Sequence, residues 1–232
     1  VEAAPAEAVA NGAGIHHEQA DASQKPLLAQ RILAEVVATR VAQAVRALPL
    51  PDDDAETAVE EMEEIAMLAE RFAAGSAARN DRYDLIDLKD CASAALEAVG
   101  VADSATVVAE LGDAPQVFAS KTEVCLMLEQ VLDNAAWAIR QKGLDAEEGE
   151  IRIKTAGDGD DASVTILDNG VGLSAEDRER MFLPFAGARD DHPGVGLAIT
   201  QHIVQRYGGR IAVGSQPGGG TVLRISLPGM AA

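Results

Sequence analysis

The spacing of apolar residues changes once along this chain, across "GSAARND" at 75–81. Before that stretch apolar side chains recur every three or four residues; beyond it they alternate in short runs broken by helical stretches. A helical pattern will not settle as a strand, nor the reverse, so this change divides the chain into two folding units. Residues 1–20, Ala-rich, polar and without period, read as a flexible leader.

In 21–78 two amphipathic helices are expected. The first carries Leu33, Val36, Val37, Val41, Val45 and Leu48, with Pro26 suited to its first turn and Ser23 as its cap. "PLPDDD" (49–54) breaks it, and a second helix follows over 55–74 with Val59, Met62, Ile65, Ala69 and Phe72 on one side. Glu60, Glu61, Glu63 and Glu64 lie on the other. Two such helices with a short connection form an antiparallel hairpin. Their apolar stripes exceed what one hairpin buries, which points to a four-helix bundle in a homodimer. The competing arrangement packs both helices on the rest of the chain.

Composition narrows the function classes. At 232 residues the chain is long enough for a substantial core in one or two domains. No apolar run approaches the roughly 18 residues of a membrane span, so no membrane contact is expected. Nothing at the start reads as a signal peptide. Cys91 and Cys125 sit singly in apolar helical patterns, as reduced core thiols of a cytoplasmic protein would. The net charge of −19 argues against nucleic acid as a partner. A polyanionic ligand would be held by local geometry against the global field.

Residues 79–232 predict an α+β domain, an α/β sandwich of a mixed sheet with helices on one face. Strands are expected at "YDLIDL", "TVVAEL" and "QVFAS", an antiparallel pair at "GEIRIKT" and "ASVTIL", and a closing hairpin of "GRIAVGS" with "GTVLRISL". Helices are expected over 89–99, 123–142, from Ser174 at the capping-box spacing of "SAED", and over 196–207. Within this domain "TILDNGVGL" (165–173) runs a strand onto a carboxylate and then gives up side chains twice in three positions. Taken alone it reads as an Asn-Gly turn. The other reading is a carboxylate facing a ligand beside backbone that must come close to something.

Three further segments accompany it. Asn134 stands on the otherwise apolar "EQVLDNAAWAI"; Gly194-Val195-Gly196 leads into a helix whose backbone N–H groups can approach phosphate; and Gly220-Thr221 opens the last strand. A lone Gly-x-Gly is weak evidence, and a lone buried Asn is commonly a satisfied structural amide. Order and spacing together resemble the ATP-binding catalytic domain of sensor histidine kinases, in the GHKL superfamily with its Bergerat ATP-binding fold. The likeness spans about 83–228 and comprises an N box (Asn134-Ala135), a G1 box (Asp168, Gly170, Gly172), an F box (Phe182, Pro184, Phe185), a G2 box (Gly194, Gly196, Leu197) and Gly220-Thr221. The hairpin before it resembles that family's dimerisation and phosphotransfer domain in architecture alone.

The resemblance implies ATP and Mg²⁺ as ligands, phosphoryl transfer to a histidine, and relay to a response regulator receiver domain in two-component signalling. Asp168 would accept a hydrogen bond from the adenine amino group, and Gly170 and Gly172 would keep the purine pocket clear. Asn134 would orient Mg²⁺; Gly194, Val195, Gly196 and Leu197 would line the phosphates with backbone N–H; Thr221 would lie near adenine. The short lid between Phe185 and Gly194 is similar to that of nitrogen-regulation kinases, and alignment puts Arg189 where those carry a Lys, as a γ-phosphate contact.

Departures are as informative. Gln130 stands where relatives carry Asn or a Glu base; it can orient water or metal but cannot take a proton. Trp137 replaces a common basic residue and is expected in the core, an apolar wall closing the pocket being the alternative, and His192-Pro193 replace small residues before the second glycine box. The phosphoacceptor pattern, a His with Pro five positions on, places Asp21 at the histidine position when Pro26 is aligned. His16-His17-Glu18 has the His-acid pair without the proline, and no histidine falls in 24–48. Either His16 or His17 is the acceptor, or the chain has none. Two alternatives to a kinase core follow: a degenerate kinase acting as a nucleotide-binding scaffold, and a superfamily kinase that phosphorylates another protein.

Overall fold

The computed structural model describes residues 82–183, 186, 194–215 and 217–230. The leader, the hairpin, His16, His17, Pro184, Phe185, Arg189, His192 and Pro193 lie outside the described residues.

The chain enters through β1 (Tyr83–Ile86), which pairs antiparallel with β3 (Val117–Ser120) in a small two-stranded sheet. Asp87 caps α1 (Leu88–Val99) by accepting from the Lys89 N–H, and β2 (Thr106–Leu111) follows a short 3-10 turn. Ser120 caps α2 (Lys121–Lys142), the long central helix. Then come β4 (Glu150–Asp158), β5 (Asp161–Asp168), the short α3 (Ala175–Arg180), α4 (Gly196–Arg206), β6 (Arg210–Ser215) and β7 (Thr221–Pro228).

The main sheet runs β2-β4-β5-β7-β6, with β2 parallel to β4 and every other pair antiparallel. Alternation decides its faces. Ile151, Ile153, Val164, Ile166, Leu223 and Ile225 are buried, whereas Arg152, Lys154 and Arg224 face outward. The buried side lies against α1, α2 and α4, which also pack on one another. The α+β sandwich expected from the sequence is therefore the observed fold. Cys91 and Cys125 are thiols buried where α1 and α2 pack together, as expected of core thiols. Among the described residues no helix is long and apolar enough to cross a membrane.

Trp137 departs from expectation. It is half-buried on α2 and stands outside the buried core. The periodicity of α2 explains this: Gln130, Asn134 and Trp137 follow one stripe, all half-buried, while Val131, Leu132, Ala135 and Ile139 fill the core side.

Candidate nucleotide site

Asp168 is the last residue of β5, in register with Ile151 on one side and Thr221 on the other. It is 6% exposed, a deep position for a carboxylate, and its Oδ1 accepts from the Gly170 N–H at 2.9 Å. Burial pushes its pKa up to about 6, against the lowering effect of the Gly170 and Thr221 backbone N–H groups and of the Lys142 ammonium. Such a carboxylate keeps acceptor capacity in a dry setting, where a hydrogen bond to it discriminates strongly.

The Asn-Gly stretch after it is no hairpin turn, for β5 leads into α3 rather than into a paired strand. Asn169 holds the loop before β4: its Oδ1 accepts from the Glu150 N–H at 2.8 Å and its Nδ2 donates to the Glu148 carbonyl at 2.9 Å. Gly170 lies on α2, where an added Cβ would come within 2.6 Å of Ala138 backbone and side-chain atoms, and the next residue, Val171, donates to the Ala138 carbonyl at 3.1 Å. The steric demand at Gly170 thus comes from α2. Ala138 is one turn beyond Asn134, so this seat holds the Asp168 loop beside the Asn134 turn.

The opening of β7 closes the other side. A Cβ on Gly220, whose φ is +81°, would fall 2.0 Å from the Asp168 carbonyl oxygen, so only glycine fits there. Ser215, at the end of β6, accepts from the Leu173 N–H at 2.8 Å, reaches the Gly220 carbonyl at 2.8 Å, and lies 3.2 Å from the Thr221 hydroxyl. The Gly218 N–H donates to the Val171 carbonyl at 2.6 Å, and Lys142 donates to the Asn169 carbonyl at 2.6 Å. Nothing in the spacing of Ser215 or Lys142 marked them: one ends a strand and the other a helix.

At the far end of α2, Gln130 meets α4. A Cβ on Gly196 would lie 2.6 Å from the Gln130 Oε1, so the amide oxygen occupies the space that the missing side chain leaves. Val195, buried at the N-cap of α4, supplies no side-chain cap. The N-cap residue of this eleven-residue helix therefore offers its leading N–H groups no side-chain acceptor of its own. Gly194 precedes it at φ +70°, and Leu197 packs partly buried against the core.

These elements bring Asp168, Gly170, Gly172, Thr221 and Asn134 to the edge of α2, and Gln130 to the start of α4, with Gly194, Val195, Gly196 and Leu197. A purine with a phosphate chain suits that arrangement: a buried acceptor at one end and an uncapped helix start at the other. The fit for Mg²⁺ rests on one half-buried amide, Asn134, because no group of three or more metal-ligating side chains occurs among the described residues.

Residues 120–230 match the family described as histidine kinase-, DNA gyrase B-, and HSP90-like ATPase. The C4-dicarboxylate transport sensor protein DctB of Rhizobium meliloti (strain 1021) is 40% identical over 96 residues, covering 41% of this chain and 16% of that protein. The alginate biosynthesis sensor protein KinB of Pseudomonas aeruginosa is 32% identical over 148 residues, covering 62% of this chain and 24% of that protein. The chain thus spans a quarter or less of the length of these two relatives. Among solved structures, the mycobacterial sensor histidine kinase MprB superposes with a TM-score of 0.53 at 25% identity, over 64% of this chain and all of that one. The mixed sheet and these matches together support a sensor histidine kinase ATP-binding core in the described domain.

Proposed function

We propose that this chain binds Mg-ATP and transfers the γ-phosphoryl group to a histidine, for relay to a response regulator, as the catalytic end of a homodimeric sensor kinase. The observation that carries the reading is the buried Asp168 carboxylate, set between the Gly170 loop and Thr221 and held next to the Asn134 turn of α2.

In this reading Asp168 accepts from the adenine amino group, and Gly220 and Gly170 let the surrounding backbone close tightly around that carboxylate. Backbone N–H groups of Gly194, Gly196 and Leu197 meet the phosphates, with the α4 dipole behind them. Asn134 would hold Mg²⁺, which would supply charge neutralisation at the phosphates when bound. Gln130 positions the start of α4 and, having no basic lone pair, takes no proton. Arg189 would supply the lid cation for the γ-phosphate. Catalysis is then positioning and charge neutralisation for in-line transfer.

A scaffold that binds nucleotide without stable self-phosphorylation is favoured by one observation, the absence of any histidine in 24–48. Incubation of the whole chain with γ-labelled ATP separates the readings. Label lost in acid, stable in base and abolished by His16→Ala with His17→Ala assigns the kinase and its acceptor. Bound ATP without any label assigns the scaffold, and acid-stable label on an added protein assigns a kinase of another protein.

A further inference from the structure

Lys142 closes the last turn of α2 and continues a spacing that runs through the site: Asn134, Ala138 and Lys142 follow one another every four residues along one side of the helix. The loop after Asp168 touches this stripe twice. Val171 donates to the Ala138 carbonyl at 3.1 Å, and the Lys142 ammonium donates to the Asn169 carbonyl at 2.6 Å. A cation in the last turn of a helix is ordinary, because it complements the helix dipole. Here the Gly143 N–H already takes up the Arg140 and Ile139 carbonyls, and the ammonium leaves the helix for the residue next to Asp168.

Asp168 is buried in a chain of net charge −19, so both its burial and the overall field disfavour an ionised carboxylate. Its neighbours nevertheless present donors, the Gly170 N–H at 2.9 Å and the Thr221 N–H. A protonated oxygen would aim a donor at donors, so the site calls for the charged form. Lys142 is the cation whose charge favours that form. The other charged groups on the elements around β5 are engaged elsewhere or exposed. On β4, Glu150 pairs with Arg152, and on β7, Arg224 pairs with Asp158. On α1, Lys89 pairs with Asp87 and Asp113, while Asp90 and Glu97 are exposed; on α2, Arg140 reaches the Ser104 hydroxyl.

We propose that Lys142 is a positioning residue for nucleotide recognition: seated on the Asn169 carbonyl, its ammonium holds the buried Asp168 carboxylate ionised and presented as an acceptor. Lys142 thereby sets the acid limit of nucleotide binding, a consequence that rests on the adenine reading of Asp168. The ammonium stays charged throughout the range in which a carboxyl titrates, so its influence is constant while Asp168 changes state. Without it the protonated form persists to higher pH, and binding fails earlier as pH falls. Well above the midpoint the carboxyl is ionised with or without Lys142, and affinity changes little. A brace that acted on loop shape alone would instead lower affinity equally at every pH. Methionine keeps the length of the side chain and removes both charge and donor; arginine keeps both. Because Lys142 is exposed, either replacement leaves the core untouched.

Two measurements on the whole chain test this. In the empty protein with carboxyl-¹³C aspartate, NMR titration follows the Asp168 signal, assigned by its loss in Asp168→Asn. Lys142→Met should raise the Asp168 midpoint by about half a pH unit, and Lys142→Arg should leave it within about 0.2 unit of the parent. A midpoint unmoved in Lys142→Met overturns the proposal, whatever the site binds. Calorimetry with Mg-ATP reads the consequence. Lys142→Met should weaken binding about 2.5-fold at pH 5.5 and leave it nearly unchanged at pH 8. An equal loss at both pH values reduces Lys142 to a structural brace and overturns the proposal. ATP affinity that Asp168→Asn does not alter at either pH sinks the adenine reading and the acid limit with it, while the NMR midpoint still decides the hold of Lys142 on Asp168.

Discussion

Replacing Asp168 by Asn should strengthen the empty protein and weaken the complex, and the two effects have one cause. Burial holds the folded carboxyl near pKa 6 against an ordinary value of 3.8. A carboxyl whose folded pKa is raised binds its proton more tightly folded than unfolded. Its contribution to stability is therefore full below about pH 4 and is lost as pH rises through 6. About two pH units at 1.36 kcal/mol each make the ionised group cost on the order of 3 kcal/mol above pH 7. Asparagine carries no charge at any pH and can still accept from the Gly170 N–H, but it loses part of the bonding to Thr221. The variant should gain about 2 kcal/mol at pH 8, a few degrees in Tm for a domain of this size, and nothing at pH 4.5. ATP binding at pH 8 should weaken by about 1.5–3 kcal/mol, the usual worth of a hydrogen bond to a charged group. Thermal melts across pH give the first quantity and calorimetry the second. A stability difference independent of pH would refute the burial argument; unchanged ATP affinity would refute the adenine assignment.

Gly170→Ala forces a methyl to within 2.6 Å of the Ala138 backbone, so urea unfolding should show a loss of about 1–3 kcal/mol together with weaker ATP binding. Tyr207→Phe removes the hydroxyl that donates to the buried Glu123 at 2.6 Å and accepts from the Ser120 N–H at 3.0 Å; chemical denaturation should register a loss of about 2–4 kcal/mol. A fragment beginning at Arg82 keeps the whole described core and should be monomeric by light scattering while still binding ATP. A dimeric fragment would remove the bundle from the account.

Local pattern exposed the elements, because alternation and helical spacing report burial directly. "GEIRIKT" against "ASVTIL" is the clearest instance, with Ile151 and Ile153 inward and Arg152 and Lys154 outward. Asp168 and the glycines around it were legible as a set for the same reason that a strand end is legible. The purpose of Gly170 was not: its neighbour Ala138 is 32 positions away in a helix, and only packing brings them together. Ser215 carries no signal because its partners belong to two separate segments, Leu173 and the Gly220-Thr221 opening of β7. Trp137 was misplaced because a large apolar residue on an apolar helix suggests the core, whereas its stripe follows Gln130 and Asn134 outside the buried core. Glu123 looks like a surface acid in a first turn; Tyr207, 84 positions later, is what accommodates it in the interior. The pairing of β2 with β4 in parallel likewise needs a crossover that no local period encodes.

In the proposed function the Asp168 carboxylate reads the purine. Guanine presents a carbonyl oxygen where adenine presents its amino group, so a buried carboxylate there would face an acceptor rather than a donor. Competition of unlabelled Mg-ATP and Mg-GTP against a fluorescent ATP analogue on the whole chain measures this directly. ATP should displace the analogue at concentrations at least tenfold below those needed for GTP, a gap of about 1.5 kcal/mol or more. Equal displacement by the two nucleotides, or none by ATP, would contradict it.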